Sequence, residues 1–286
     1  MNILVTGYNG QLANEIYNLS ALFAEQANFY FKTEEELDIT KTGALAKFIQ
    51  NNHIDRIINC AAYTNVDNAE DEKEKAYLIN DYAVKDLAAI ARSYNIYLVH
   101  ISTDYVFDGT NYRPYKEDDP TNPVSIYGKS KIGGELSIME NQAGMVVRTS
   151  WLYSHTGKNF VKSIARLAKE RDQLNVVYDQ VGNPTFAGDL AKVLLTAVTQ
   201  KKENLLYGIY HYSNEGVCSW YDFAMEIRNN LNLQCDIRPI ESKDFPTKAP
   251  RPHYSVLNKE KIKTALQISI PYWKDSLTEM LKSFNT

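Results

Sequence analysis

The stretch "NILVTGYNGQLANEI", Asn2 to Ile16, decides the fold. An apolar run ends in a turn carrying Gly7 and Gly10, and a helical pattern starts at once. Such a turn lets backbone N–H groups approach a pyrophosphate, and the helix N-terminus adds partial positive charge. Glycine supplies the close approach and the unusual dihedrals that this needs. The spacing is G-x-x-G-x-x-A, with Ala13 third, and alanine is small enough for close helix–strand packing. A plain strand–helix turn with a glycine cap would give the same string, so the surroundings must decide.

Outward from this turn, short apolar runs alternate with helical patterns. Residues 2–6, 28–31, 56–60, 97–102 and 145–150 read as buried strands, with amphipathic segments near 11–24, 42–52, 72–94 and 127–141. Alternation of this kind predicts a parallel sheet covered on both faces by right-handed crossovers. The expected fold class is therefore α/β, a Rossmann-type doubly wound sheet with a smaller C-terminal lobe. Residues 1–150 plus parts of 175–215 are expected to form the nucleotide-binding core, and 151–286 mainly the lobe. Later, 207–213 reads as a strand, a helix opens near Ser219, prolines 239, 246, 250 and 252 mark a loop-rich stretch, and a final helix starts at about Pro271.

A net charge of −4 argues against general nucleic-acid or membrane-surface binding and leaves room for a small anionic substrate. No apolar run is long enough to span a bilayer, and "MNILVTG" enters a strand without a charged leader. Three widely spaced cysteines, Cys60, Cys218 and Cys235, fit a reducing compartment, so a cytoplasmic address is expected. Cysteine and histidine spacing shows no zinc motif. After the second strand, Lys32 and Thr33 stand where an acid that would hold an adenosine ribose is expected, and Glu34 follows too late. NADPH and NADH both stay open. Lys32 reads equally as a 2′-phosphate partner or as a solvated surface lysine.

Tyr-x-x-x-Lys occurs twice in "YRPYKEDDPTNPVSIYGKSK" (112–131). Pro114 interrupts Tyr112–Lys116, which predicts a surface loop. Tyr127–Lys131 follows the start signals Pro123 and Ser125 and falls one helical turn apart on one face. Its helix follows the strand whose carboxyl end carries Ser102, Thr103 and Asp104, the end where open parallel sheets bind ligands. An ammonium at Lys131 would favour the phenolate of Tyr127 and bring a pKa of about 10 into working range. With the Thr103 hydroxyl, the pair could protonate the alkoxide formed when hydride reaches a carbonyl carbon. The segment between the two pairs is expected to border the substrate pocket.

The glycine turn, "NCAAYTNVDNAE" (59–70), Asn80, "STDYVFDG" (102–109) and "YGKSK" (127–131) together resemble the extended short-chain dehydrogenase/reductases. "VRTSWLYSHTGKNFV" (147–161), "DQVGNPTFAGDLA" (179–191), "SWYDFA" (219–224) and "RPHYSVLN" (251–258) narrow the resemblance to the dTDP-4-dehydrorhamnose reductase family. It covers essentially the whole chain. The resemblance implies NAD(P)H-dependent reduction of the C4 keto group of dTDP-4-dehydro-6-deoxy-L-mannose, with Thr103, Tyr127 and Lys131 catalytic. It places Gly7, Gly10, Gln11 and Leu12 at the cofactor phosphates, and Asp38 and Ile39 by the adenine. Ala61, Ala62 and Tyr63, with Tyr127 and Lys131, would border the nicotinamide side. Thr103, Asp104 and Trp151 would contact the deoxysugar, although Trp151 could be core filling and Asp104 a loop cap. Asn80 reads as a structural hydrogen-bonding residue, and Arg251 and Lys248 as candidates for the diphosphate, with surface solvation the alternative for Lys248. Some members of the family bind Mg²⁺; Glu15 matches that pattern but "FAGDL" offers only Asp189, so no metal is assigned. The expected partners are a nucleotide sugar and a second copy of the chain. Two rivals stay open, another nucleotide-sugar 4-keto reductase or epimerase, and a non-catalytic NADP-binding regulatory subunit.

Overall fold

The computed structural model describes residues 1–282 and 284. Six strands form the central sheet: β1 (Asn2–Thr6), β2 (Asn28–Lys32), β3 (Arg56–Asn59), β4 (Tyr97–Thr103), β5 (Gly144–Thr149) and β6 (Gly208–His211). Their spatial order is β2-β1-β3-β4-β5-β6 and every pair is parallel. The order reverses once, at β1, which puts the switch point of a doubly wound sheet between β1 and β3.

Alternation along each strand divides the core into two faces. Ile3, Val5, Ile58, Val99, Met145 and Val147 face helices α1 (Gln11–Ser20) and Ala187–Val198. Leu4, Ile57, Leu98 and Val146 face α2 (Thr42–Asn51), α3 (Ala83–Ser93) and Ile138 of α4 (Ile126–Asn141). Sheets buried on both faces read as continuous apolar runs, as these strands do.

The expected helix at 72–94 is one run with a defect. Lys73–Tyr77 and α3 are joined by a π turn, Leu78–Tyr82, and Asn80 sits in it fully buried. The expected helix at 11–24 ends as α-helix at Ser20 and closes in a 3₁₀ turn, Ala21–Phe23.

A second apolar cluster gathers Tyr153, Val161, Ile164, Phe223, Ile227, Trp273 and Leu277. Apart from Tyr153, which lies in the short strand Leu152–Tyr153, they come from α5 (Phe160–Glu170), α6 (Trp220–Asn230) and α7 (Trp273–Lys282). Ser219 caps α6 with a reciprocal Ser219–Asp222 capping box, which fixes the helix start expected there. Beside it, Gln173–Val177 pairs in parallel with Asp236–Ile240. Pro239 is tolerated because that strand has a neighbour on one side only. Among the described residues, no helix is long and apolar enough to cross a membrane.

Candidate active site

A cleft of about 750 Å³ opens at the carboxyl ends of β1, β3, β4 and β5. Its floor at one end is the glycine turn. Gly7 has φ +69°, and a Cβ there would stand 2.8 Å from Ala61 N, so the turn lies directly on the segment after β3. Gly10 is the N-cap of α1 and provides no side-chain cap, leaving the first-turn N–H groups facing the cleft without one. Such a cradle fits a dinucleotide phosphate. Gln11 and Leu12 line the same wall; Gln11 Oε1 accepts from Asn159 Nδ2 (2.9 Å), which ties the 154–159 loop over the turn.

Asp38 and Ile39 also line the cleft, and Asp38 Oδ1 accepts from the Thr40 amide and hydroxyl (2.8 and 2.7 Å). Lys32 is not part of the lining. It pairs with Glu36 (3.7 Å) and lies 5.4 Å from the centre of the Phe48 ring. Ala61 and Ala62 are at the wall, whereas Tyr63 is not. The Tyr63 hydroxyl donates to Glu72 (3.2 Å), and its backbone bonds the side chain of Asn80 in both directions. Asn80 also donates to Ser130 Oγ (3.0 Å), so it braces α4 through a buried bond.

Thr103, Asp104, Tyr127 and Lys131 meet at the other end. Ser125 caps α4 by accepting the Gly128 amide (3.1 Å), which sets Tyr127 in the first turn. A Cβ at Gly128 would collide with Tyr105 O, so glycine lets the helix close onto the β4 end. The Tyr127 and Thr103 side chains neighbour each other on the cleft wall, and the Tyr105 ring packs edge-on against Tyr127 at 5.7 Å. Thr103 Oγ1 donates to Asp104 Oδ1 (3.0 Å).

Here the structure departs from one expectation. Burial, reinforced by Asp104 and Tyr105, pushes the Tyr127 phenol up, against the opposing influence of the nearby Thr103 hydroxyl. Lys131 does not counter this, because its Nζ is turned to Ile101 O (2.6 Å) and His100 Nε2 (3.2 Å). Burial lowers Lys131 to about 8 and raises Asp104 to about 6. At neutral pH the phenol therefore carries its proton.

Trp151 follows β5 at φ +47°, a conformation uncommon outside glycine. Its indole stacks on Trp220 at 3.6 Å and 10°, and both line the cleft. Trp220 lies in the motif "SWYDFA" that carries the resemblance, but it is not among the site residues expected from it. Arg251 lines the cleft as well; Nη2 donates to Asp67 (2.8 Å) and Nε is buried without a partner. Lys248 pairs with Asp71. The segment between the two Tyr-Lys pairs does not border the cleft. None of residues 117–126 lines it: Glu117 accepts the His211 amide (3.2 Å) and the Ile126 amide donates to Glu70 (2.8 Å), while in the first pair Tyr112 is 90% exposed and Tyr115 stacks on Phe107 at 4.1 Å.

Glu15 Oε1 lies 3.0 Å from His155 Nδ1, and Asp189 Oδ2 accepts from Asn214 and Ser276. Among the described residues, no three His, Cys, Asp or Glu side chains are grouped to share an ion.

The family model for the RmlD substrate binding domain matches residues 1–286. A dTDP-4-dehydrorhamnose reductase of Aggregatibacter actinomycetemcomitans is 40% identical over 96% of this chain and 96% of its own. The solved structure of a dTDP-4-dehydrorhamnose reductase ortholog from Clostridium acetobutylicum superimposes with a TM-score of 0.94 at 41% identity, covering 100% of both chains. That of the Bacillus anthracis dTDP-4-dehydrorhamnose reductase, in complex with NADP, gives 0.93 at 36% identity over 99% of each.

Proposed function

The chain belongs to the RmlD substrate binding domain family, and from that premise we propose that it is an NAD(P)H-dependent oxidoreductase reducing dTDP-4-dehydro-6-deoxy-L-mannose to dTDP-L-rhamnose. The observation that carries this reading is the meeting of Thr103, Tyr127 and Lys131 in one cleft with the Gly7 cradle. The cradle and the first turn of α1 hold the cofactor phosphates, with Asp38 and Ile39 on the adenine side. Ala61, Ala62 and Lys131 hold the nicotinamide side. When bound, the cofactor supplies hydride to C4 of the keto sugar.

The chain's own part is to place the sugar and move a proton. The Thr103 hydroxyl orients the C4 oxygen. Tyr127, kept protonated by its surroundings, donates the phenolic proton to that oxygen as negative charge develops. Asp104 and Trp151 contact the deoxysugar, and Arg251 takes the diphosphate with its planar guanidinium. The 151–286 region acts mainly as the substrate-binding lobe. The protein acts in the cytoplasm, where its three unpaired cysteines stay reduced, and it assembles as a homodimer, which sedimentation measures directly.

The test follows absorbance of NADH and NADPH with the 4-keto sugar. Net oxidation is expected, whereas an epimerase would recycle its cofactor without it. Tyr127→Phe should keep cofactor binding and lose about 100- to 10,000-fold in turnover. Near-normal turnover in that variant would remove the mechanism. Tyr112→Phe should be silent.

A further inference from the structure

His100, in β4, is fully buried and has no part in the reaction above. Its ring bridges two side chains. Nδ1 lies 3.0 Å from Asn59 Nδ2, and Nε2 lies 3.2 Å from Lys131 Nζ. The Thr6 hydroxyl in turn donates to Asn59 Oδ1 (2.6 Å). Thr6, Asn59, His100 and Lys131 thus form one buried polar line from β1 through β3 and β4 to α4, each member at most 1% exposed.

A buried donor facing another donor is costly, so such a line must be polarised consistently. Two settings satisfy it. With Lys131 an amine, Nζ accepts from His100 Nε2–H, Nδ1 accepts from the Asn59 amide, and Asn59 Oδ1 accepts from Thr6. With Lys131 an ammonium, Nζ–H donates to Nε2 and Nδ1–H donates to Asn59 Oδ1. The amide is then turned over, so that Nδ2 donates to Thr6 Oγ1. A charged imidazolium fits neither, since its Nδ1–H would face the Asn59 amide in the first and its Nε2–H the ammonium in the second.

We propose that His100 is the positioning residue of Lys131: its neutral ring holds the Lys131 side chain in the cleft and exchanges tautomer when the lysine gains or loses its proton. Ile101 O takes a second Nζ hydrogen (2.6 Å), which leaves one donor of the ammonium for the cleft. Burial, then the nearby ammonium, holds the His100 pKa well below that of an ordinary histidine, so the ring stays neutral. The groups facing Lys131 are Glu135 on its own helix, Cys60 after β3, and His100. Glu135 is itself held by Arg148 of β5 and Ser102 of β4. On the side of the π turn, Asp81 abuts Gly133.

The inference rests on Lys131 acting in turnover as an ammonium, and one arm of the test is independent of that. The full chain, labelled with ¹⁵N-histidine, is followed by NMR over pH, with His100 assigned among the five histidines by its loss in His100→Gln. Below about pH 7, Nδ1 should be protonated and Nε2 bare, with exchange to the other tautomer as pH rises past about 8. Lys131→Met should abolish the exchange. A ring locked in one tautomer, or one that becomes imidazolium near its ordinary pKa of about 6.5, overturns the proposal.

In the second arm, turnover is measured against pH. His100→Phe removes an acceptor from the ammonium and should move the basic limb to lower pH, costing about 10-fold at pH 8 relative to pH 6.5. His100→Gln, whose amide oxygen accepts from Nζ, should restore the limb. A folded His100→Phe protein with lower melting temperature and the wild-type limb would make the role structural only, which sinks the proposal. Wild-type turnover in Lys131→Met would instead sink the assigned role of the lysine, while the tautomer exchange would still stand.

Discussion

Asp104 carries the largest electrostatic liability beside Thr103. Burial raises its carboxyl to about 6, against the nearby Ser255 hydroxyl and the Thr103 bond that pull it down. A carboxyl with a folded pKa above its unfolded value of 3.8 binds more protons in the native state, so stability falls as pH rises. Its contribution is complete below about pH 4 and is lost as pH rises through about 6. Asp104→Asn keeps an acceptor for Thr103 and removes the charge, so it should be more stable than the parent at pH 7.5, by up to about 3 kcal/mol. At pH 4 the two should melt alike. Calorimetric melting across that range checks this, and a gap independent of pH would assign the effect to packing. Tyr127 and Thr103 were legible in the sequence because a helix face and a strand end fix them locally. The direction of the Tyr127 shift was not, because it depends on where Lys131 Nζ finds its partners, and those lie on a strand some 30 positions earlier. Tyr63 misled for a related reason: its segment lines the cleft, but its side chain turns to Glu72.

Among the elements, the glycine turn has the narrowest tolerance. At Gly7 an alanine would face both φ +69° and the Ala61 backbone at 2.8 Å. Gly7→Ala should raise the Kd for NADPH at least about 10-fold, and lower the melting temperature, because the β1–α1 turn must lift off β3. Titration calorimetry reads the first effect; unaltered affinity would mean that the turn does not hold the phosphates. The strands of the main sheet were readable because each is a short apolar run with a helical pattern after it. Helix Ala187–Val198 was not read as an element, since it is apolar on most sides and packs against both α1 and the sheet, which blurs its periodicity. The Gln173–Val177 and Asp236–Ile240 pair escaped for a different reason. Its partners are distant in the chain, and Pro239 argues locally against a strand.

For the whole molecule, the cleft is bounded by two apolar cores and strapped by charge. The 247–251 loop is tied to residues 67–71 through Arg251–Asp67 and Lys248–Asp71. Arg251 therefore belongs at once to a strap and to the cleft wall. Arg251→Met should raise KM for the nucleotide sugar about 10-fold or more while leaving NADPH affinity unchanged. Loss of both affinities would make the strap, and not the guanidinium, the important part. The Trp151–Trp220 stack has a consequence for observation. Two of the three indoles in the chain lie face to face at 3.6 Å, on the wall of the cleft. At that separation their transitions couple, so the protein should carry an exciton couplet in its circular dichroism. Its fluorescence should change when a sugar nucleotide enters, and both signals should vanish in Trp220→Leu. The molecule thereby reports its own occupancy by light, without an added dye.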